Sequence, residues 1–178
     1  MKKKQILIII FGLIVFTQYC HAMLAIPEKK FTTKTGKVCI LSVAKTESET
    51  ATVNNFLEVF FESIISTPEY HNMCVYIYNE KGKKLIAAAH FLLPNKSKPY
   101  VFIADMAVGT KFQNDGIGGA LLGHLIEHAP YQIRLYSLDT AIGFYKKFGF
   151  YSDSEDLPQK MQRDYIPTTV TLTTTHTG

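Results

Sequence analysis

Apolar residues fall along this chain in short blocks of two periods, one near two residues and one near 3.6, and the blocks alternate. Val38 to Val43 is an apolar run of strand length. Thr46 and Glu49 then stand at capping-box spacing, and Val53, Phe56, Leu57, Phe60, Phe61 and Ile64 recur at helical intervals. This predicts an amphipathic helix stopped before Pro68, with Asn54, Asn55, Glu58 and Glu62 outward. Met73 to Tyr78 and Leu85 to Leu93 read as strands joined by the turn chemistry of Asn79-Glu80-Lys81-Gly82. After a second turn from Pro94 to Pro99 comes a fourth strand, Tyr100 to Val108, whose apolar density suggests a central place. Ile117 to Ala129 reads as helix, Gln132 to Leu138 as strand and Thr140 to Phe148 as helix, and a final strand region runs from Phe150 to Ile166. The order predicts a mixed α/β, α+β-like domain over residues 37–166 with an antiparallel front half. The polar stretch 23–36, with Pro27 and Gly36, reads as a leader segment, and the threonine-rich residues 167–178 as a flexible tail.

The N-terminus has a pattern of its own. Lys2-Lys3-Lys4, an apolar run from Ile6 to Phe16 and the small residue Ala22 spell a signal peptide over residues 1–22, cleaved near Ala22, and hence a secreted or periplasmic protein. The run is short for a bilayer span, which needs about 20 apolar residues. A membrane anchor at residues 5–17 is the alternative, and the only membrane association expected. Tyr19 is too bulky for a lipid attachment site at Cys20. The three leader lysines account for three of the four net positive charges, so the mature chain is near neutral and has no basic stripe for a phosphate backbone. Nucleic acid is therefore not an expected partner. Cys39 and Cys74 are too few for a disulfide scaffold, although one bridge remains open to them.

The most informative stretch lies between a strand and a helix: Val108-Gly109-Thr110-Lys111-Phe112-Gln113-Asn114-Asp115-Gly116-Ile117-Gly118-Gly119. Its glycines permit a tight turn and close approach of a ligand, and the free N–H groups and dipole of the following helix suit a pyrophosphate. It lacks the Gly-Lys-Ser/Thr ending of a nucleotide-hydrolase loop and the Gly-x-Gly-x-x-Gly of a dinucleotide fold. Gln113, Gly116 and Gly118 resemble the Gln/Arg-x-x-Gly-x-Gly/Ala signature of the GNAT superfamily of N-acetyltransferases. One strand later, Ala141-Ile142-Gly143-Phe144-Tyr145-Lys146-Lys147-Phe148-Gly149-Phe150 is similar to that family's Ala-x-x-Phe/Leu-Tyr-x-x-x-Gly-Phe segment. A departure is Leu138, where the family often carries asparagine.

The resemblance covers roughly residues 37–166 and implies the GNAT fold: a central, mostly antiparallel sheet of six to seven strands, splayed between strands four and five and flanked by helices. It implies an acyl-CoA-dependent transferase that passes an acetyl group from acetyl-CoA to a primary amine, on a small molecule or a protein, by direct attack in a ternary complex. Backbone groups of Met106, Ala107 and Val108 would meet the pantetheine, and Gln113, Asn114, Asp115, Gly116, Ile117, Gly118 and Gly119 the pyrophosphate, with Lys111 as an added charge. Tyr145 would be the acid for the departing thiolate, against the alternative of a core tyrosine. Asp105 is the carboxylate nearest in sequence to the reaction centre and the candidate base, although strand alternation leaves solvent or a structural hydrogen bond open to it. Antiparallel pairing of the first two strands, as the family has it, would put Cys39 and Cys74 at opposite ends of the ladder, so no bridge is expected. The pattern is silent on oligomeric state.

Two rival readings remain. His124-Leu125-Ile126-Glu127-His128 matches a His-x-x-Glu-His zinc-peptidase motif, but no acidic helix follows to supply a third ligand. No metal is expected there, and the two histidines read as partly buried and hydrogen-bonded. A CoA-binding module without turnover is the other, on the strength of Leu138 and the unsettled base.

Overall fold

The computed structural model describes residues 26–61, 72–81, 84–152 and 159–164. The predicted signal peptide, the tail and the end of the first predicted helix, with Ile64 and Pro68, lie outside them. Seven strands form one sheet in sequence order: β1 (Lys29–Thr32), β2 (Val38–Val43), β3 (Asn72–Asn79), β4 (Leu85–Leu92), β5 (Tyr100–Val108), β6 (Gln132–Ser137) and β7 (Gln159–Arg163). All neighbours are antiparallel except β5 and β6, which run parallel. A parallel pair needs a crossover, and helix α2 (Ile117–His128) supplies it. Helix α1 (Glu47–Leu57) joins β2 to β3, and α3 (Asp139–Lys146) follows β6. No helix among the described residues is long and apolar enough to cross a membrane.

The sheet has a core on each face. Ala87, Ala89 and Phe91 of β4 join Ile117, Leu121, Leu122 and Leu125 of α2 in the larger one, while Ala88, between them in sequence, meets Val53 and Leu57 of α1 in the smaller. Since successive strand residues face opposite ways, α1 covers one face, and α2 and α3 the other. β4 is buried from Ile86 to Phe91, more continuously than β5, and its run of alanines lets helices approach on both sides.

Three expectations change in detail. The segment read as a leader contains β1, whose Lys29, Lys30 and Thr32 are exposed and whose Phe31 alone is half-buried. It is an edge strand protected by charge, a pattern without apolar alternation. The first helix ends at Leu57, where the amides of Phe60 and Phe61 both turn back to the Leu57 carbonyl (2.9 and 3.1 Å); the Val59-Phe60-Phe61 run has weak helix propensity. Among its described residues, the final strand region shows β7 and an isolated bridge from Tyr151 to Gln162. The Thr46–Glu49 capping box forms as expected, and Cys39 and Cys74 are both buried and free.

Candidate active site

A β-bulge on β5 decides which side chains face which way. His90 of β4 pairs with Asp105 but its neighbour Phe91 pairs with Ile103, so Ala104 is the extra residue. Before it, Val101 and Ile103 belong to the larger core; after it, Met106 and Val108 do, and Ala107 joins the α1 side. The bulge thus swings Asp105 onto the α1 face beside His90, with Oδ2 3.7 Å from His90 Nδ1. Both residues are buried and neither of these atoms has a hydrogen-bond partner. Asp105 is therefore held in the protein, away from solvent.

Beyond the bulge the sheet opens. The β5–β6 ladder runs only from Tyr100 and Gln132 to Ile103 and Leu135, so Asp105 to Val108 pair with β4 alone. Met106 and Val108 consequently present backbone groups to the β6 side without a strand to meet them, while those of Ala107 face β4. One is engaged locally: Gln113 Nε2 donates to the Val108 carbonyl at 3.2 Å.

The chain then makes a short 3-10 turn, Thr110–Phe112, and enters α2 through two left-handed residues, Asn114 (φ 64°) and Gly116 (φ 84°). Gly116 is the N-cap and offers no side-chain bond, so the first-turn N–H groups of Ile117, Gly118 and Gly119 keep neither an intrahelical partner nor a cap. Added to the helix dipole, they make an end suited to an anion. A Cβ on Gly118 would lie 3.4 Å from Val108 and 3.6 Å from Phe144, and one on Gly119 3.3 Å from Phe148, so these glycines also bring α2 against β5 and α3. The Ile117 side chain points into the core.

Asp115 behaves differently from its loop neighbours. Its carboxylate accepts from the Thr35 amide (2.8 Å) and the Thr35 hydroxyl (2.7 Å), and these bonds hold it below the usual carboxylate range, the hydroxyl contributing most. Its side chain clamps the β1–β2 turn onto the loop. The clamp lays Lys34 over Gly116, with its carbons 3.8 Å from where a Cβ would stand, and Lys37 over the Phe112 ring at 5.2 Å.

On α3, Tyr145 is buried between the rings of Phe144 and Phe150 (centroids 5.1 and 5.6 Å), and burial pushes its phenol up to about 12. Its hydroxyl has no hydrogen-bond partner among the described residues. Leu138 caps α3 without a side-chain bond and is 67% exposed.

The acetyltransferase (GNAT) family model matches residues 41–150, which include the opened strand, the glycine loop and Tyr145. The chain belongs to the acetyltransferase (GNAT) family. Solved structures with the same fold include an acyl-CoA N-acyltransferase from Pseudomonas aeruginosa, at 16% identity and TM-score 0.59, covering 70% of this chain and 99% of that one. Tetrahymena GCN5 matches at 19% and 0.55, over 72% and 97%. Arabidopsis thaliana Naa50, solved with a CoA-containing bisubstrate analogue, matches at 18% and 0.54, over 70% and 99%. No curated protein sequence matches the chain.

Within this GNAT domain, sequence reasoning missed Lys34 and His90. Lys34 sits in the stretch read as a leader, and only the Asp115–Thr35 clamp carries it to the loop. His90 lies in an otherwise apolar strand, and its placement opposite Asp105 follows from the bulge. The strand containing Asp105 was legible, but alternation counted through Ala104 gives the wrong face. A cavity of about 310 Å³ under α1 is lined by Glu49, Thr52, Val53, Tyr76, Tyr78 and Leu85. A second, of about 380 Å³, is bounded by Leu92, Tyr100, Phe102, Ala104 and Tyr136 and touches the bulge itself.

Proposed function

We propose that this chain is an N-acetyltransferase that transfers the acetyl group of acetyl-CoA to a primary amine by direct attack in a ternary complex. The observation carrying this reading is the junction of an unpaired β5 edge with the bare N-terminus of α2. The N–H groups of Ile117, Gly118 and Gly119 would hold the pyrophosphate, with the Lys34 ammonium alongside, and Met106 and Val108 would pair with the pantetheine. Gln113 would release the Val108 carbonyl or bond beside it. A β5 N–H near the Ala104 bulge would stabilise the oxyanion, where such a donor is worth about 3–4 kcal/mol.

The amine enters by the second cavity, whose aromatic wall of Tyr100, Phe102 and Tyr136 ends at the bulge beside Asp105. Asp105, backed by His90, takes the proton of the attacking amine. The C–N bond forms, the C–S bond breaks, and the thiolate leaves. Tyr145 remains protonated with a pKa of about 12. Complete proton transfer to a thiolate, whose conjugate acid has a pKa of about 8.5, would be uphill by about 3.5 units. Tyr145 therefore acts as a hydrogen-bond donor to the developing thiolate, and the thiol gains its proton from solvent. The bisubstrate-bound Naa50 relative supports a ternary geometry for this fold.

The test is CoA release from acetyl-CoA across a panel of small-molecule and peptide amines, with protein lacking residues 1–22 and a Tyr145→Phe control. Acetyl-CoA binding without release for any amine would instead identify the non-catalytic module. Residues 1–22 carry the further proposal of export after cleavage near Ala22, which N-terminal sequencing of protein recovered from the culture supernatant or periplasm checks.

A further inference from the structure

The last turn of α2 carries a cluster away from the glycine loop at the helix's other end. His124 is buried, and its Nε2 lies 2.9 Å from the carbonyl oxygen of Pro27. A carbonyl only accepts, so Nε2 carries the proton and Nδ1 keeps a bare lone pair. That Nδ1 is wholly buried and has no hydrogen-bond partner. His128 Nδ1 stands 2.9 Å from the His124 carbonyl oxygen, and the same reasoning leaves its Nε2 bare. The third member, Glu127, places Oε2 3.8 Å from His124 Nδ1. One ligand atom from each of the three lies within 4.8 Å of the others.

We propose that His124 Nδ1, His128 Nε2 and a Glu127 carboxylate oxygen bind one divalent late first-row cation, Zn2+ being the probe, with water in the fourth position. Imidazole and carboxylate together suit such ions. Metal-bound histidines ordinarily donate their other ring N–H to a carbonyl or carboxylate, and both histidines here already do so. A tetrahedral zinc site sets its ligand atoms about 3.4 Å apart, so the cluster must contract. Rotation of exposed Glu127 and half-buried His128 provides that. Glu127 also pairs with Lys29 at 3.2 Å, but both groups are exposed and the pair yields readily. The ion would sit at the negative pole of α2, which ends at His128. Its role is to brace the turn that Pro27 ties to the segment entering β1, and it takes no part in acyl transfer.

The experiment is equilibrium dialysis and calorimetric titration of the chelator-treated full-length chain with ZnCl2, alongside His128→Ala and Glu127→Gln. Circular dichroism verifies that each variant is folded. The expected result is a site taking up one Zn2+ per chain, weakened at least tenfold in His128→Ala and less in Glu127→Gln, with a zinc-dependent rise in Tm only where the site is intact. Substitution with Co2+ should give the intense visible bands of a four-coordinate ion in the wild type, lost in His128→Ala. Absence of stoichiometric uptake overturns the proposal, as does uptake that survives unchanged in His128→Ala, which would place the ion on histidines elsewhere in the chain. None of these readouts depends on acyl transfer.

Discussion

Replacing Tyr145 with phenylalanine separates the two roles open to this side chain, because the structure predicts a different result for stability, for its pH dependence and for turnover. The phenol is buried and bonds to nothing among the described residues, so its removal deletes no hydrogen bond to them. Urea unfolding at pH 7 should therefore differ by less than about 1 kcal/mol between the two proteins. Alkaline solution gives a sharper signature. Burial raises the phenol from 10 in the unfolded chain to about 12 in the folded one. The folded state thus holds its proton after the unfolded state has lost it, and stability attached to that proton is complete below pH 10 and is lost as pH rises toward 12. Two pKa units correspond to about 3 kcal/mol in all, of which about 1.4 kcal/mol should be gone by pH 11. The other tyrosines are common to both proteins, so the difference between their unfolding curves isolates Tyr145. In turnover, loss of a donor to the developing thiolate should lower kcat by about 10²–10³-fold with little change in the KM for acetyl-CoA. If kcat survives intact while the alkaline difference appears, Tyr145 is a core residue only. A loss of several kcal/mol at pH 7 would refute the premise that its hydroxyl is unpartnered.

Three further outcomes follow from the site. Gly116→Ala has room for its methyl but must hold φ near 84°, which should cost about 1–2 kcal/mol by thermal unfolding and weaken CoA binding in calorimetry. Lys34→Ala should weaken binding of CoA, in a manner that fades as salt is raised, while leaving binding of pantetheine lacking phosphate unchanged. Asp105→Asn should lower kcat/KM for the amine most at neutral pH, where the amine is protonated, and recover part of the loss at alkaline pH; a uniform deficit across pH would instead mark Asp105 as a structural partner of His90.

By itself, the order of hydrophobic periods along the chain determined most of the architecture. Strands from Val38 onward, the capped first helix, the crossover helix and its glycine-rich entry are local matters of periodicity, capping and left-handed turns, and those are written in neighbouring residues. The glycine loop was legible for the same reason, and the Tyr145 segment through its resemblance to the GNAT motif. Tertiary structure alone decided what depends on pairing between distant strands. β1 is an exposed, lysine-bearing edge whose identity as a strand comes only from its ladder with β2. One extra residue at Ala104 reversed the facing of every side chain after it, which sent Asp105 to His90. The clamp from Asp115 to Thr35, 80 positions away, brought Lys34 over Gly116 at the entry to α2. Contacts of that separation leave no periodic trace, because they are fixed by register and closure of the sheet rather than by the conformational preference of any one segment.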